Sequence, residues 1–155
     1  MESTVRIFVV EDDPTYLKFL KYVLSLNPDF EVYYFTSGND CIKNLHIKPN
    51  IIALDYSLPD MSGDEVLKKV KAFDVGIHVI MVSAQENVGT AVKLLKLGAY
   101  DYILKNKETK DLLLNAINNA RKNISLTEEI NLLRNELSEK YDIPFSKKKY
   151  MYIPF

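Results

Sequence analysis

Five times along this chain a short apolar run is followed by a segment whose apolar residues recur at helical spacing. That alternation restricts the fold more than any other feature. Val5–Val10 reads as a buried strand and ends in Glu11, Asp12 and Asp13. Pro14 then opens a helix where its missing N–H costs nothing, with Tyr16, Leu17, Leu20, Val23 and Leu24 as the apolar stripe. The turn Asn27-Pro28-Asp29 leads to a second strand, Glu31–Phe35. A helix from Ser37 or Gly38 carries Cys41, Ile42 and Leu45 and stops before Pro49. Ile51–Leu54 is a wholly apolar third strand ending at Asp55, and the loop Tyr56–Gly63 leads to a helix over Asp64–Phe73. Ile77–Val82 ends at Ser83, and a helix with Val88, Val92, Leu95 and Leu97 closes at Gly98, a left-handed cap. Tyr100–Leu104 ends at Lys105, and a last helix starts near Lys107–Lys110.

Strand–helix units in series predict a doubly wound parallel sheet with helices on both faces. The near-continuous apolar strands fit a sheet buried on both sides. The 155 residues suit one domain with an extension. The expected division is a domain over 4–123, a helical or coiled-coil extension over 124–141 and a flexible tail over 142–155. Only three of the twenty basic residues are arginines (Arg6, Arg121 and Arg134), and the net charge is −1. Both facts argue against direct DNA binding by this chain. No apolar run approaches the roughly 18 residues of a membrane span, and the N-terminus does not read as a signal peptide. Cys41 is the single cysteine, so no disulfide framework is needed. It reads as a small apolar residue on a helix. A cytoplasmic location is expected, with no membrane contact.

The chemistry gathers at strand ends. In open α/β sheets ligands bind beyond the carboxyl ends of the strands. Asp12, Asp55, Ser83 and Lys105 stand at four of the five ends. In the order 2-1-3-4-5 those four strands are consecutive neighbours, roughly 4.8 Å apart. Glu11, Asp12 and Asp55 would repel one another unless a hard cation joined them, and Mg²⁺ takes carboxylates, waters and phosphate oxygens. A carboxylate can serve as the nucleophile that forms an aspartyl phosphate. An ammonium at Lys105 and a hydroxyl at Ser83 suit phosphoryl oxygens. No Gly-rich phosphate loop accompanies them, so a bound nucleotide is not the expected donor. His46 and His78 read as surface residues rather than phosphohistidine or zinc candidates.

From Thr4 to Lys122 the chain resembles the receiver domain of two-component response regulators. The matching pieces are Val9-Val10-Glu11-Asp12-Asp13-Pro14, the stretch Ile52-Ala53-Leu54-Asp55-Tyr56-Ser57-Leu58-Pro59-Asp60-Met61-Ser62-Gly63, Val82-Ser83-Ala84, and Gly98-Ala99-Tyr100-Asp101-Tyr102-Ile103-Leu104-Lys105. The resemblance implies a flavodoxin-like fold and a phosphoacceptor at Asp55, served by a sensor histidine kinase or a phosphotransfer protein. Such a domain is not an enzyme in the ordinary sense, although it assists its own phosphorylation and dephosphorylation. Asp12 and Asp55 are implied Mg²⁺ ligands with the Ser57 backbone carbonyl, while Glu11 acts mostly through water. Ser83 and Tyr102 match the switch pair, and Lys105 the phosphate-contacting lysine. Pro14 sets the register of the three acids, which leaves Asp13 as a helix N-cap.

One position departs from the family pattern: Asn106 follows Lys105, where the family usually has proline, often after a cis bond. A cis bond before a non-proline residue costs about 3 kcal/mol, so a trans junction is expected and the aim of Lys105 is in question. The competing reading is a phosphorylation-independent pseudo-receiver, a dimeric interaction module of the same fold. A haloacid-dehalogenase-like hydrolase would want an acid two residues after the nucleophile, where Ser57 stands. Beyond the domain, Leu126, Ile130, Leu133 and Leu137 form a short coiled-coil pattern. It is consistent with a homodimer through the C-terminal helix or with a helix packed on its own domain. The phase differs from that of Leu113, Ile117, Ala120 and Ile124, which predicts a bend or break near Ser125. Glu128–Tyr141 more loosely resembles the linker of sigma-54-dependent activators, which implies a longer parent protein.

Overall fold

The structure, a computed structural model, describes residues 4–141. The expected tail at 142–155 lies outside the described residues. Strands β1 (Val5–Val10), β2 (Phe30–Phe35), β3 (Ile51–Leu54), β4 (His78–Ser83) and β5 (Asp101–Leu104) form one parallel sheet in the order β2-β1-β3-β4-β5. The connecting helices are α1 (Pro14–Ser25), α2 (Gly38–Lys43), α3 (Gly63–Phe73), α4 (Val88–Lys96) and α5 (Thr109–Tyr141). This is the doubly wound arrangement that the alternation predicts, in the flavodoxin-like form that the resemblance implies.

Strand periodicity divides the core in two. Ile7 and Val9 of β1 pack with Leu20 and Leu24 of α1 and with Leu113 and Ile117 of α5. Phe8 and Val10 point the other way, among Cys41, Val66, Leu67 and Leu94 of α2, α3 and α4. Successive side chains alternate faces, and both faces are covered. That is why the central strands β1, β3 and β4 read as near-continuous apolar runs. Cys41 is fully buried, and burial pushes its thiol up to about 12. It therefore packs as an inert thiol.

Local chemistry bounds α1 and α4 where the sequence predicts, whereas α2 stops at Lys43 and the expected helical residue Leu45 falls in a separate 3-10 turn, Leu45–Ile47. Asp13 caps α1, its Oδ1 accepting from Thr15 N–H at 3.1 Å, ahead of Pro14. Gly98 has φ +108°, with Gly98 N–H bonded to Leu95 O and Ala99 N–H to Leu94 O. Those two bonds close α4 through a left-handed residue that a side chain would strain.

A clamp not anticipated from sequence joins the loop after β3 to α2. Asp60 accepts from Gly38 N–H at 2.9 Å and from Asn39 N–H at 2.8 Å. The Asn39 bond, then the Gly38 bond, hold its carboxyl below the ordinary 3.8. A depressed folded-state pKa contributes stability that is full above the unfolded value and is lost as pH falls through the folded one. Asp60→Asn should therefore lower the melting temperature at neutral pH, and the gap from wild type should close in acid below about 3.8. Calorimetry across that range checks it; a gap independent of pH would sink the charge account.

Two further expectations need correction. The expected break near Ser125 is not realised: α5 is one unbroken helix over 33 residues. Leu113, Ala116, Ile117 and Ala120 bury its first half, and Ile124 is its last residue packed on the core. The apolar phase shifts because the helix outruns the sheet. The Thr127 hydroxyl bonds back to Asn123 O at 3.0 Å, a tolerated helical contact. The second correction concerns His78, which is half-buried rather than a simple surface residue. Its ring meets Tyr100 edge-on at 4.9 Å, and its Nε2 lies 3.0 Å from Asn123 Oδ1. Burial lowers its pKa.

Candidate functional site

Register brings the strand ends level. Val10 pairs with Leu54, Leu54 with Met81, and Ser83 with Leu104. Backbone bonds carry the alignment past the strands: Asp55 N–H to Val10 O at 3.0 Å, and Lys105 N–H to Ser83 O at 2.8 Å. Oxygens of Glu11, Asp12 and Asp55 consequently lie within 4.8 Å of one another. Glu11 and Asp55 are buried at 1% and 7% exposure, whereas Asp12 is exposed. Three hard oxygen donors at this spacing, one open to solvent, fit a divalent cation that keeps part of its water shell.

Lys105 reaches across the sheet into this cluster. Its Nζ donates to Glu11 Oε1 and lies 3.5 Å from Asp55 Oδ2. Burial raises the Glu11 carboxyl to about 7, assisted by the Asp55 charge and opposed by the bond from Lys105. The Lys105 ammonium also feels burial, but the Glu11 bond and the charges of Asp55 and Glu11 hold its pKa above the ordinary value. The lysine stays charged as the counter-ion of the acid cluster. The Lys105–Asn106 peptide is trans, as are all bonds among the described residues.

Ser57 lies in the loop after β3. Its N–H donates to Asp55 Oδ1 at 3.4 Å, and it is bridged to Ser62 across that loop. Ser83 is buried at the end of β4, and its Oγ accepts from Gln85 N–H at 3.1 Å. Tyr102, half-buried on edge strand β5, donates its hydroxyl to Gln85 O at 2.8 Å. The structure therefore gathers Glu11, Asp12, Asp55 and Lys105 directly. It links Ser83 and Tyr102 through one residue, Gln85. Sequence reasoning missed Gln85 because both bonds use its backbone. It also missed Tyr16, whose ring lies under the Lys105 ammonium at 4.4 Å.

Comparison with known proteins gives one consistent answer. The family model described as the response regulator receiver domain matches residues 7–118. The chemotaxis protein CheY of Listeria monocytogenes is 33% identical over 116 residues, covering 74% of this chain and 97% of its own. Regulatory protein AtoC of Escherichia coli is 29% identical over 139 residues, covering 89% of this chain. This chain spans only 30% of AtoC, and less than half of two further curated regulators that it matches. Among solved structures, the signal receiver domain of a Luxo repressor protein from Vibrio parahaemolyticus superposes with TM-score 0.76 at 30% identity, covering 82% of this chain and 97% of that one. The Mn²⁺-bound form of response regulator Rcp1 superposes with TM-score 0.63 at 25% identity, covering 72% and 88%. With the sheet order, the acid cluster and the strand-end lysine in place, the chain belongs to the response regulator receiver domain family.

Proposed function

We propose that this chain is a phosphorylation-switched receiver. Asp55 accepts a phosphoryl group from a phosphohistidine on a sensor histidine kinase or phosphotransfer protein. The observation that carries this reading is the placement of Asp55, at the end of the central strand β3 between the Glu11–Asp12 acids and the Lys105 ammonium. An Asp55 carboxylate oxygen forms the new bond to phosphorus. The phosphorus–nitrogen bond to the donor imidazole breaks, and that nitrogen leaves and takes up a proton. Asp12 and Asp55, the Ser57 carbonyl and, through water, Glu11 would hold Mg²⁺, whose charge offsets that of the phosphoryl oxygens. Lys105 supplies the protein's own positive charge at the same place.

Ser83 and Tyr102 are the proposed switch. Both hydroxyls end on Gln85, so movement of Ser83 toward a phosphoryl oxygen frees Gln85 N–H and disturbs the carbonyl that holds Tyr102. Incubation with Mg²⁺ and acetyl phosphate should add one phosphoryl group, read by intact mass. No gain would favour the phosphorylation-independent module instead.

The same reading includes a homodimer through the C-terminal helix. Leu126, Leu133 and Leu137 are between 44% and 56% exposed on the far half of α5. An uncovered leucine stripe at this spacing fits a second copy of the helix. The AtoC alignment over 139 residues extends beyond the 7–118 span, which supports a linker toward a further domain of a longer parent. Leu133→Glu with Leu137→Glu should convert a dimer to a monomer in sedimentation, without lowering the melting temperature of the domain at low concentration. A wild-type monomer at high concentration would reject the dimer.

A further inference from the structure

Lys105 is aimed by contacts that the strand-end pattern does not contain. Its Nζ stands 4.4 Å from the centre of the Tyr16 ring while bonded to Glu11 and close to Asp55. The ammonium is therefore bracketed, with two carboxylates on its polar side and an aromatic face beside it. Tyr16 lies on the first turn and a half of α1, the helix that starts beside the acids. A cation against a partly desolvated aromatic face is held by the ring quadrupole.

The hydroxyl of that ring reaches the start of α5, shortly after the lysine. The Tyr16 hydroxyl oxygen is buried without a hydrogen bond of normal geometry, and it lies near the Thr109 side chain. Thr109 is fully buried at the start of α5. Its Oγ1 accepts from Asn106 N–H at 2.8 Å and lies 2.8 Å from both Leu104 O and Asn106 O, either of which can take its proton. Asn106 Oδ1 accepts from Glu108 N–H at 2.8 Å. Asn106 and Thr109 thus tie the trans Lys105–Asn106 junction through an N–H that proline would lack.

We propose that Tyr16 is the positioning residue for Lys105: its ring, with its hydroxyl near Thr109, steadies the ammonium between Glu11 and Asp55. This inference rests on the phosphoacceptor reading. Without the ring, the Lys105 ammonium is held by Glu11 and Asp55 alone and samples more positions, so the charge that receives the phosphoryl oxygens is less well placed.

The test measures the rate of phosphoryl gain from acetyl phosphate at saturating Mg²⁺ by intact mass. Tyr16→Leu should slow it roughly five- to tenfold, and Tyr16→Phe, which keeps the ring, should restore most of the rate. In a Lys105→Ala background, Tyr16→Leu should make no further difference, because the group it positions is gone. Equal slowing in both backgrounds would show that Tyr16 acts only through the fold, and the proposal would be overturned. A wild-type rate in Tyr16→Leu would overturn it as well. A wild type that gains no phosphoryl group rejects the phosphoacceptor reading itself, a result separate from either of these.

Discussion

Asp55→Asn should leave a folded chain that gains no phosphoryl group from acetyl phosphate and Mg²⁺. The amide keeps the shape of the carboxyl, and its oxygen can still accept from Ser57 N–H, which lies 3.4 Å from Asp55 Oδ1. What disappears is the anionic nucleophile and one of three acids whose oxygens share a space of 4.8 Å. Lys105 keeps its bond to Glu11, so the counter-ion is not stranded. Like charges held together raise one another's proton affinity, and the Asp55 charge is among the causes that raise Glu11. The variant should therefore melt no lower than wild type near neutral pH, and above it if relief of repulsion wins. Intact mass and a thermal melt read both outcomes on one sample. A phosphoryl gain that persists in the variant would falsify the assignment of Asp55 as acceptor. A melt far below wild type would instead mean that the carboxylate holds the site together.

The fold was legible because its signal is redundant. The central strands β1, β3 and β4 are buried on both faces, so their identity did not depend on correct phasing, and Gly98 and Asp13 marked helix ends by chemistry alone. Glu11, Asp12, Asp55 and Lys105 were legible for a related reason. They sit at strand ends, and parallel register brings those ends together whatever the loops do. Contacts that cross between elements without a periodic signature stayed hidden. Asp60 clamps α2 from a loop 21 and 22 residues away in sequence. Gln85 joins Ser83 to Tyr102 through backbone atoms, which every residue type shares. Tyr16 read as one more apolar position on α1, and only the tertiary placement of Lys105 shows what its ring faces. The expected break in α5 failed differently. A shift of apolar phase records a change of partner, and the helix can continue through it unbroken.

Gly63→Ala should be damaging to both stability and phosphoryl transfer. Gly63 is the first residue of α3, and its N–H donates to Tyr56 O at 2.7 Å, closing the loop that follows Asp55. A Cβ at this position would lie 2.7 Å from Tyr56 Cα, 2.9 Å from Met81 Cε and 3.1 Å from Asp55 O. Met81 can yield to a degree as a side chain, although it is fully buried on β4. Tyr56 Cα and Asp55 O are backbone, and they yield only if the nucleophile's own strand end moves. Overpacking of this kind costs about 1–3 kcal/mol, which urea denaturation can resolve. The functional loss should be larger in proportion, because displacement of a reacting group by roughly 1 Å can cost about a hundredfold in rate. Gly89→Ala is the matched control. Its Cβ would meet only Asn87 Oδ1, at 3.2 Å, on the exposed start of α4. That variant should label with acetyl phosphate like wild type. If Gly63→Ala folds with near-native stability and labels at the wild-type rate, the loop has more slack than these distances allow. If instead it folds but labels at least tenfold more slowly, Gly63 is where close packing beneath the loop sets the position of Asp55.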